Sequence, residues 1–359
     1  MEFGLTITTN DRPDMDPRER VDSHLERAVC ARDCGFRTIA VGHRYSFGPA
    51  TDDARGEALE TWRYQPLLLL AYLAAHLGSD VSYATAVLVS TGQHPVRLAE
   101  DIATLDAFCA GGLRVGIGLG WLPYELEAFD VERSSQVRRF EELLILTSRL
   151  LTEDSVTFDG EFFRVDRARL IARAVQQPRP PIWVGASADA AVRRAARLGD
   201  TWSMSGHTPV RELVRQQGLY RAELAGLGRP LPDERPINRV VYIAEDRKTA
   251  FENALPNFVE QYRKRGAVGW FQTRDDMERA LAEGEMHWIV GDPDDCYEQL
   301  RQIETSVGAN LSIFTMPQRT SRETWQRTIR LLGDEVLPKF QAPPGAADPN
   351  LDASEPSGA

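Results

Sequence analysis

Short apolar runs alternate with longer stretches of helical periodicity from the second residue to about position 337. A run of four to eight aliphatic or β-branched residues bounded by turn residues reads as a buried strand. An apolar repeat of 3.6 residues behind a proline or a capping side chain reads as a helix. The pattern predicts eight strands, at Phe3–Thr8, Thr38–Gly42, Ser82–Leu88, Leu113–Gly118, Ile182–Gly185, Thr201–Met204, Ile237–Ala244 and Asn310–Thr315. Helices are predicted between them at Pro17–Cys34, Gln65–His76, Pro95–Cys109, Ser135–Leu151, Ala188–Leu198, Pro209–Gly226, Arg247–Arg263, Pro293–Val307 and Arg322–Leu337. Prolines open several of them, as in His94-Pro95, Thr208-Pro209 and Asp292-Pro293, because proline costs nothing where the first N–H has no partner anyway. Gly35 and Gly199 stand where a C′ glycine ends a helix. Alternation of this kind builds a parallel sheet, and eight strands close one into a barrel. The expected architecture is an α/β fold, a (β/α)8 TIM barrel over residues 1–340.

Three connections exceed ordinary length, and they fall after strands 2, 4 and 7 of that barrel. Residues 43–64 follow the second strand, residues 152–181 contain SVTFDGEFFRV with a hairpin expected around Asp159-Gly160, and residues 264–291 follow the helix behind the seventh strand. Long segments in a compact domain are usually functional, and those that leave the carboxyl end of a barrel strand lie on its catalytic face. The first is the preferred lid. The tail 341–359, rich in Pro, Gly and Ala, is expected to be disordered and to do no chemistry.

Charge and composition narrow the function. A formal net charge of −11 and a pI near 5.2 provide no basic field for a phosphate backbone, so nucleic acid is not an expected partner. No apolar run reaches membrane-spanning length, and the opening EFGLTIT lacks the features of a secretory leader. No membrane association and a cytoplasmic location are expected. Cys30, Cys34, Cys109 and Cys296 are scattered and read as buried thiols. HExxH is absent and the six histidines lie far apart, so no metal site is expected.

Chemistry concentrates at strand ends. Gly116-Ile117-Gly118-Leu119-Gly120-Trp121 ends the fourth strand rather than opening a helix, so it is not a dinucleotide fingerprint; its glycines allow either a tight turn or close approach of a flat ligand. Ile182-Trp183-Val184-Gly185-Ala186-Ser187-Ala188-Asp189 runs from a strand into a helix, where free N–H groups make a phosphate cradle or where Ser187 or Asp189 caps the helix. His43, Arg44 and Tyr45 open the long second connection. The imidazole can exchange a proton near neutrality and the guanidinium can hold an anion or a developing peroxide charge. His207, just beyond the sixth strand, is similarly placed. His76 and His287 read as structural, and His94 as orienting the helix that follows it.

These stretches, together with CGFRTIAVGHRY, YATAVLVSTGQHPVRLAEDIATLDAFCAGGLRVGIGLGW, YELEAF, RRFEELLILTSRLL, VTFDGEFFRV, AVQQPRPPIWVGASADAAVRRAARLGDTW and IVGDPDDCYEQL, resemble the bacterial-luciferase-like flavin monooxygenases in order and spacing over nearly all of residues 1–340. The resemblance implies a barrel mouth that holds reduced flavin, FMNH2, with its phosphate near Gly185, Ala186, Ser187 and Ala188 and its ring over the third and fourth strands. It implies a non-proline cis peptide at Ala86-Val87 under the ring, and Gly118 and Trp202 beside the cofactor. Catalytic roles fall to His43, Arg44 and His207; the substrate pocket falls to Tyr45, Trp62, Tyr64, Trp121 and Tyr124. His43-Arg44 stands where many relatives end the motif in a histidine, so either residue could take that histidine's role.

Two activities compete. In the first, a separate NAD(P)H:flavin reductase supplies FMNH2, dioxygen forms a C4a-peroxide, and a small organic substrate is oxidised in a closed, dry pocket. In the second, the deazaflavin coenzyme F-420 takes the cofactor's place and His43 acts as general acid or base in a hydride transfer. Leu119, where the luciferase has an arginine for the phosphate, leans toward relatives that use F-420. A non-catalytic flavin-binding paralogue is a third possibility. A homodimer is expected from the resemblance.

Overall fold

The computed structural model describes residues 1–7, 15–45, 63–264, 273–283, 285–317 and 321–341. Trp62, most of the expected lid and the tail beyond residue 341 lie outside the described residues. Among the described residues there are eleven strands: β1 Glu2–Thr6, β2 Thr38–Val41, β3 Ser82–Val89, β4 Leu113–Gly118, β5 Val156–Asp159, β6 Arg164–Ala168, β7 Ile182–Ala186, β8 Thr201–Met204, β9 Pro236–Ile243, β10 Trp288–Gly291 and β11 Leu311–Thr315. Eight of them close a parallel barrel in the order β1-β2-β3-β4-β7-β8-β9-β11, the last strand pairing again with β1. Each strand is followed by helix on the outside, so the (β/α)8 expectation is met. The insertion after β4 carries the expected hairpin, β5 paired antiparallel with β6.

Side-chain alternation along the strands separates two cores. Outward residues such as Leu5, Ile39, Val41, Val115, Val184 and Trp202 pack against the helices in the larger one. The inward set Ala40, Ala84, Trp183, Leu311 and Ile313 fills the barrel itself. At the amino-terminal end Trp183 Nε1 donates to Glu234 at 3.1 Å, and Arg114 spans from the same carboxylate (3.2 Å) to Ser82 Oγ (2.8 Å). The barrel therefore has a filled floor.

Local signals act as the sequence indicates. His94 accepts the N–H of Val96 through Nδ1 at 3.3 Å and caps helix Pro95–Phe108. Gly35 has a φ of 90° after helix Pro17–Asp33, a conformation glycine adopts freely. Gly199 departs from expectation. It is extended, at φ −96°, and a Cβ there would lie 2.8 Å from Val184 Cγ2, so its smallness serves packing rather than a left-handed turn. β9 also differs from the reading as one barrel strand. Its first half pairs with β11, and its second half leaves the barrel to pair with β10, a strand the sequence reading did not contain. A separate cluster including Phe251, Met277 and Trp288 packs there. The last two predicted helices each contain a π-helical turn, at Ile303–Val307 and Leu332–Val336.

The irregularity that shapes the mouth is in β3. Thr85 pairs with Val115 and Leu88 with Ile117, so β3 takes three steps where β4 takes two, which is a β-bulge. The spare residue turns the Val87 side chain inward. A Cβ on Gly118 would sit 2.8 Å from Val87 Cγ2, one on Gly185 3.1 Å from Val87 Cγ1, and one on Gly116 2.0 Å from the Thr85 carbonyl oxygen. Glycines on two neighbouring strands thus make room for the bulge. Gly116→Ala is expected to destabilise the protein by about 2–3 kcal/mol through overpacking, measured as the midpoint of denaturant unfolding. Gly218→Ala, in helix Val210–Gly226 with nothing within 4 Å of the added methyl, is expected to stabilise it by about 0.5–1 kcal/mol.

Candidate active site

Exposure along the inward positions changes from one end of the barrel to the other. Ala40, Ala84, Trp183 and Ile313 are buried, whereas Gly42, Ala86, Val87, Gly185, Asn238 and Thr315 nearer the carboxyl ends are half-buried. The barrel thus opens as a bowl at that end. Val87 and the glycines form its apolar side; Asn238 and Thr315 lie on the opposite strands. The Ala86–Val87 peptide is cis, where the resemblance implies it. Thr6, at the end of β1, is 7% exposed, and its Oγ1 has no hydrogen-bond partner among the described residues.

His43 is gripped by the bulge. Its backbone N–H donates to the Val87 carbonyl at 3.2 Å, and its Nδ1 accepts the Val89 N–H at 3.1 Å. His43 is 9% exposed, and its Nε2 is enclosed without a partner among the described residues. Burial, with the Arg63 charge adding to it, pushes the His43 pKa down to about 4, so the ring is neutral at physiological pH.

The neighbouring residues hold this segment in place. The Tyr45 hydroxyl donates to the Thr91 carbonyl at 2.6 Å and accepts from Gln93 at 3.4 Å, and its ring lies 4.5 Å from that of His43 and 4.7 Å from that of Phe129. Burial raises the Tyr45 pKa to about 12. The Tyr45 N–H donates to Glu125 Oε1 at 3.2 Å, and Arg44 Nε donates to the Tyr124 hydroxyl at 3.4 Å. Glu125, 1% exposed on the short helix Pro123–Ala128, has its pKa raised by burial, opposed by the Tyr45 N–H and by the charges of Arg44 and Arg63. Glu125 is not among the site residues expected from the sequence. The available signal was its position one turn into a helix opened by Leu122-Pro123, directly after the strand end.

The turn after β7 leads into a helix without a side-chain cap. No side chain caps helix Asp189–Leu198, so neither Ser187 nor Asp189 plays the capping role. Asp189 instead pairs with Arg215 and accepts from Gln216 at 3.3 Å. Gly185 is half-buried beside Val87, Ala186 is buried, and Ser187 and Ala188 are exposed.

Other expected pocket residues are dispersed. Trp121 is 64% exposed at the rim. The Tyr64 hydroxyl donates to the Pro17 carbonyl at 3.0 Å and its ring meets His24 edge-on at 5.6 Å, which sets it against helix Pro17–Asp33. Trp202, 1% exposed, faces the helices, with Nε1 donating to the Ala186 carbonyl at 3.0 Å and the ring 5.6 Å from Tyr220. His207 is exposed, 6.0 Å from the buried His287 ring. Among the described residues no group of three or more His, Cys, Asp and Glu could hold a metal ion, and no helix is long and apolar enough to cross a membrane.

Residues 1–310 match the family model described as luciferase-like monooxygenase. An F420-dependent glucose-6-phosphate dehydrogenase from Nakamurella multipartita is 29% identical over 274 residues, 73% of this chain and 78% of that protein. An FMNH(2)-dependent dimethylsulfone monooxygenase from Pseudomonas putida is 27% identical over 60% of this chain and 58% of its own length. The crystal structure of monooxygenase RslO1 from Streptomyces bottropensis superposes with a TM-score of 0.79 at 25% identity, covering 95% of this chain and all of that one.

The depressed pKa of His43 has a consequence for stability. An unfolded chain binds the His43 proton as pH falls below about 6.5, whereas the folded chain does so only near pH 4. Stability is therefore full above the unfolded value and is lost as pH falls toward the folded one. Denaturant unfolding at pH 7 and pH 5 should show His43 contributing about 2 kcal/mol to the acid loss, and His43→Gln should remove that part.

Proposed function

The chain belongs to the luciferase-like monooxygenase family, and from that premise we propose that it uses reduced FMN and dioxygen to oxidise a small organic substrate. The observation that carries the reading is the open bowl itself. It has an apolar side built by Val87 over Gly118 and Gly185, and two polar atoms, His43 Nε2 and Thr6 Oγ1, that are buried without a partner among the described residues at the ends of two adjacent strands. A flat, partly polar ring system fits such a surface, since ligand sites are mostly apolar with a few fixed polar groups.

In this reading Ala86, Val87 and Gly118 lie against the flavin ring and the turn Gly185–Ala188 receives its phosphate. The free N–H groups at the start of helix Asp189–Leu198 favour an anion there. Bound FMN would supply the electrons and the activation of dioxygen. The chain's own part is positioning. Tyr45 and Glu125 fix the strand-end segment, His43 presents a polar hydrogen to the bowl, and Arg44 offers positive charge beside Tyr124. Trp121 and Tyr124 supply aromatic surface near the rim for an apolar substrate. A separate NAD(P)H:flavin reductase as electron source, a homodimer and a cytoplasmic setting complete the proposal.

A second reading, hydride transfer with coenzyme F-420, is supported by the resemblance to the Nakamurella multipartita dehydrogenase and by Leu119 at the end of β4. One experiment separates them. Purified protein is titrated anaerobically with FMNH2 and, separately, with reduced F-420, and each complex is mixed with aerated buffer. Tight binding of FMNH2 and an oxygen-dependent transient before flavin reoxidation are expected. Binding of reduced F-420 alone, with no such transient, would overturn the monooxygenase reading, and binding of neither would favour a non-catalytic protein.

A further inference from the structure

We propose that His43 serves as a fixed hydrogen-bond donor and not as a proton acceptor, its Nε2–H holding an acceptor oxygen of the carbonyl kind on the substrate. This deepens the monooxygenase reading and rests on it for the identity of the reaction, though not for the state of the ring.

The argument is geometric. A neutral imidazole has one nitrogen that donates and one that accepts. The Val89 N–H points at Nδ1 from 3.1 Å, so Nδ1 carries the lone pair and Nε2 carries the proton. A base acting through Nε2 would need the other tautomer, with a proton on Nδ1 facing the Val89 N–H. The imidazolium form creates the same clash of two donors. Both proton-transferring states are thus opposed by one backbone bond within the barrel wall, and burial beside Arg63 opposes the charged form as well.

The donor is also immobile. The His43 backbone is tied to the Val87 carbonyl, its ring lies against Tyr45, and Tyr45 is held by Thr91 and Glu125. The ionisable groups around it are Arg63, Tyr45 and, beyond Tyr45, Arg44 and Glu125. None of the latter three bonds to Nε2, which is itself enclosed and has no partner among the described residues, although His43 as a whole is 9% exposed. Buried donors are almost always satisfied, and a substrate oxygen at the mouth would satisfy this one. Such a bond strengthens as negative charge grows on the acceptor; no proton is transferred. An alcohol awaiting deprotonation finds no acceptor at this position. A ketone or aldehyde finds a donor.

The ring state is measured first, on flavin-free protein with ¹⁵N-labelled histidine, His43→Phe or His43→Gln assigning the signal. The expected spectrum has a proton-bearing Nε2 and a bare Nδ1, unchanged down to about pH 5. The opposite tautomer, or an imidazolium near pH 6–7, would overturn the proposal. Oxygen uptake with reduced FMN is then compared on small ketones and aldehydes and on the matching alcohols. His43→Gln, whose amide can donate but cannot act as a base, should keep turnover within about tenfold of the unaltered protein, while His43→Phe loses about 10²–10³-fold. Gln as inactive as Phe, or turnover of the alcohols alone, would sink the donor role. If the unaltered protein turns over nothing with reduced FMN, the monooxygenase reading fails, and the nitrogen spectrum still decides the tautomer.

Discussion

One surplus residue in β3 organises the mouth of this barrel. Because the strand takes three steps where its neighbour takes two, Val87 is turned into the interior, and the backbone groups on either side of Leu88 are left free of regular pairing with β2. Those groups, the Val87 carbonyl and the Val89 N–H, are the ones that hold His43. Side-chain direction in a strand reverses with every residue, so the bulge also lets Leu88 keep its place in the outer core while Val87 faces the bowl. The apolar surface and the orientation of the imidazole therefore have a single origin. Gly116, Gly118 and Gly185 belong to the same arrangement, since they leave the volume that the bulge occupies. The glycines of β4 allow a turn or the approach of a ligand, and in the structure they also make room for the bulge of β3.

Much of this was legible before any coordinates. Alternating strand and helix patterns fix the barrel because each element has its own apolar period, and the position of the Ala86–Val87 peptide follows from the family resemblance of TAVLV. The parts that escaped did so for identifiable reasons. Trp288–Gly291 is a four-residue apolar run, too short to distinguish from a loop by periodicity, and its partner half of β9 looks identical in sequence to a strand that stays in the barrel. The resemblance implies Trp202 beside the cofactor, but parity decides its direction: Ser203 takes the inward position beside Gly185 and Trp202 the outward one. Tyr64 is the last residue of the second connection, and it packs against helix Pro17–Asp33 instead.

Glu125 and the His43 proton were illegible for a different reason. Nothing local in YELEAF marks Glu125 as buried, and only the three-dimensional return of that helix to Tyr45 buries it. The tautomer of His43 depends on a backbone N–H more than forty positions away, which no local pattern encodes. Binding surfaces made of strand-end side chains can be listed from parity. The protonation of those side chains requires knowing which main-chain groups a bulge has released.

The filled floor of the barrel limits traffic through it. Trp183, Glu234 and Arg114 close the amino-terminal end, and Ala40, Ala84 and Ile313 pack in one buried cluster with Trp183. Whatever enters the bowl must leave by the door it came in. When two guests share such a room, the one seated deeper arrives first and departs last, so the architecture imposes an order on arrival and departure before any difference in affinity is considered.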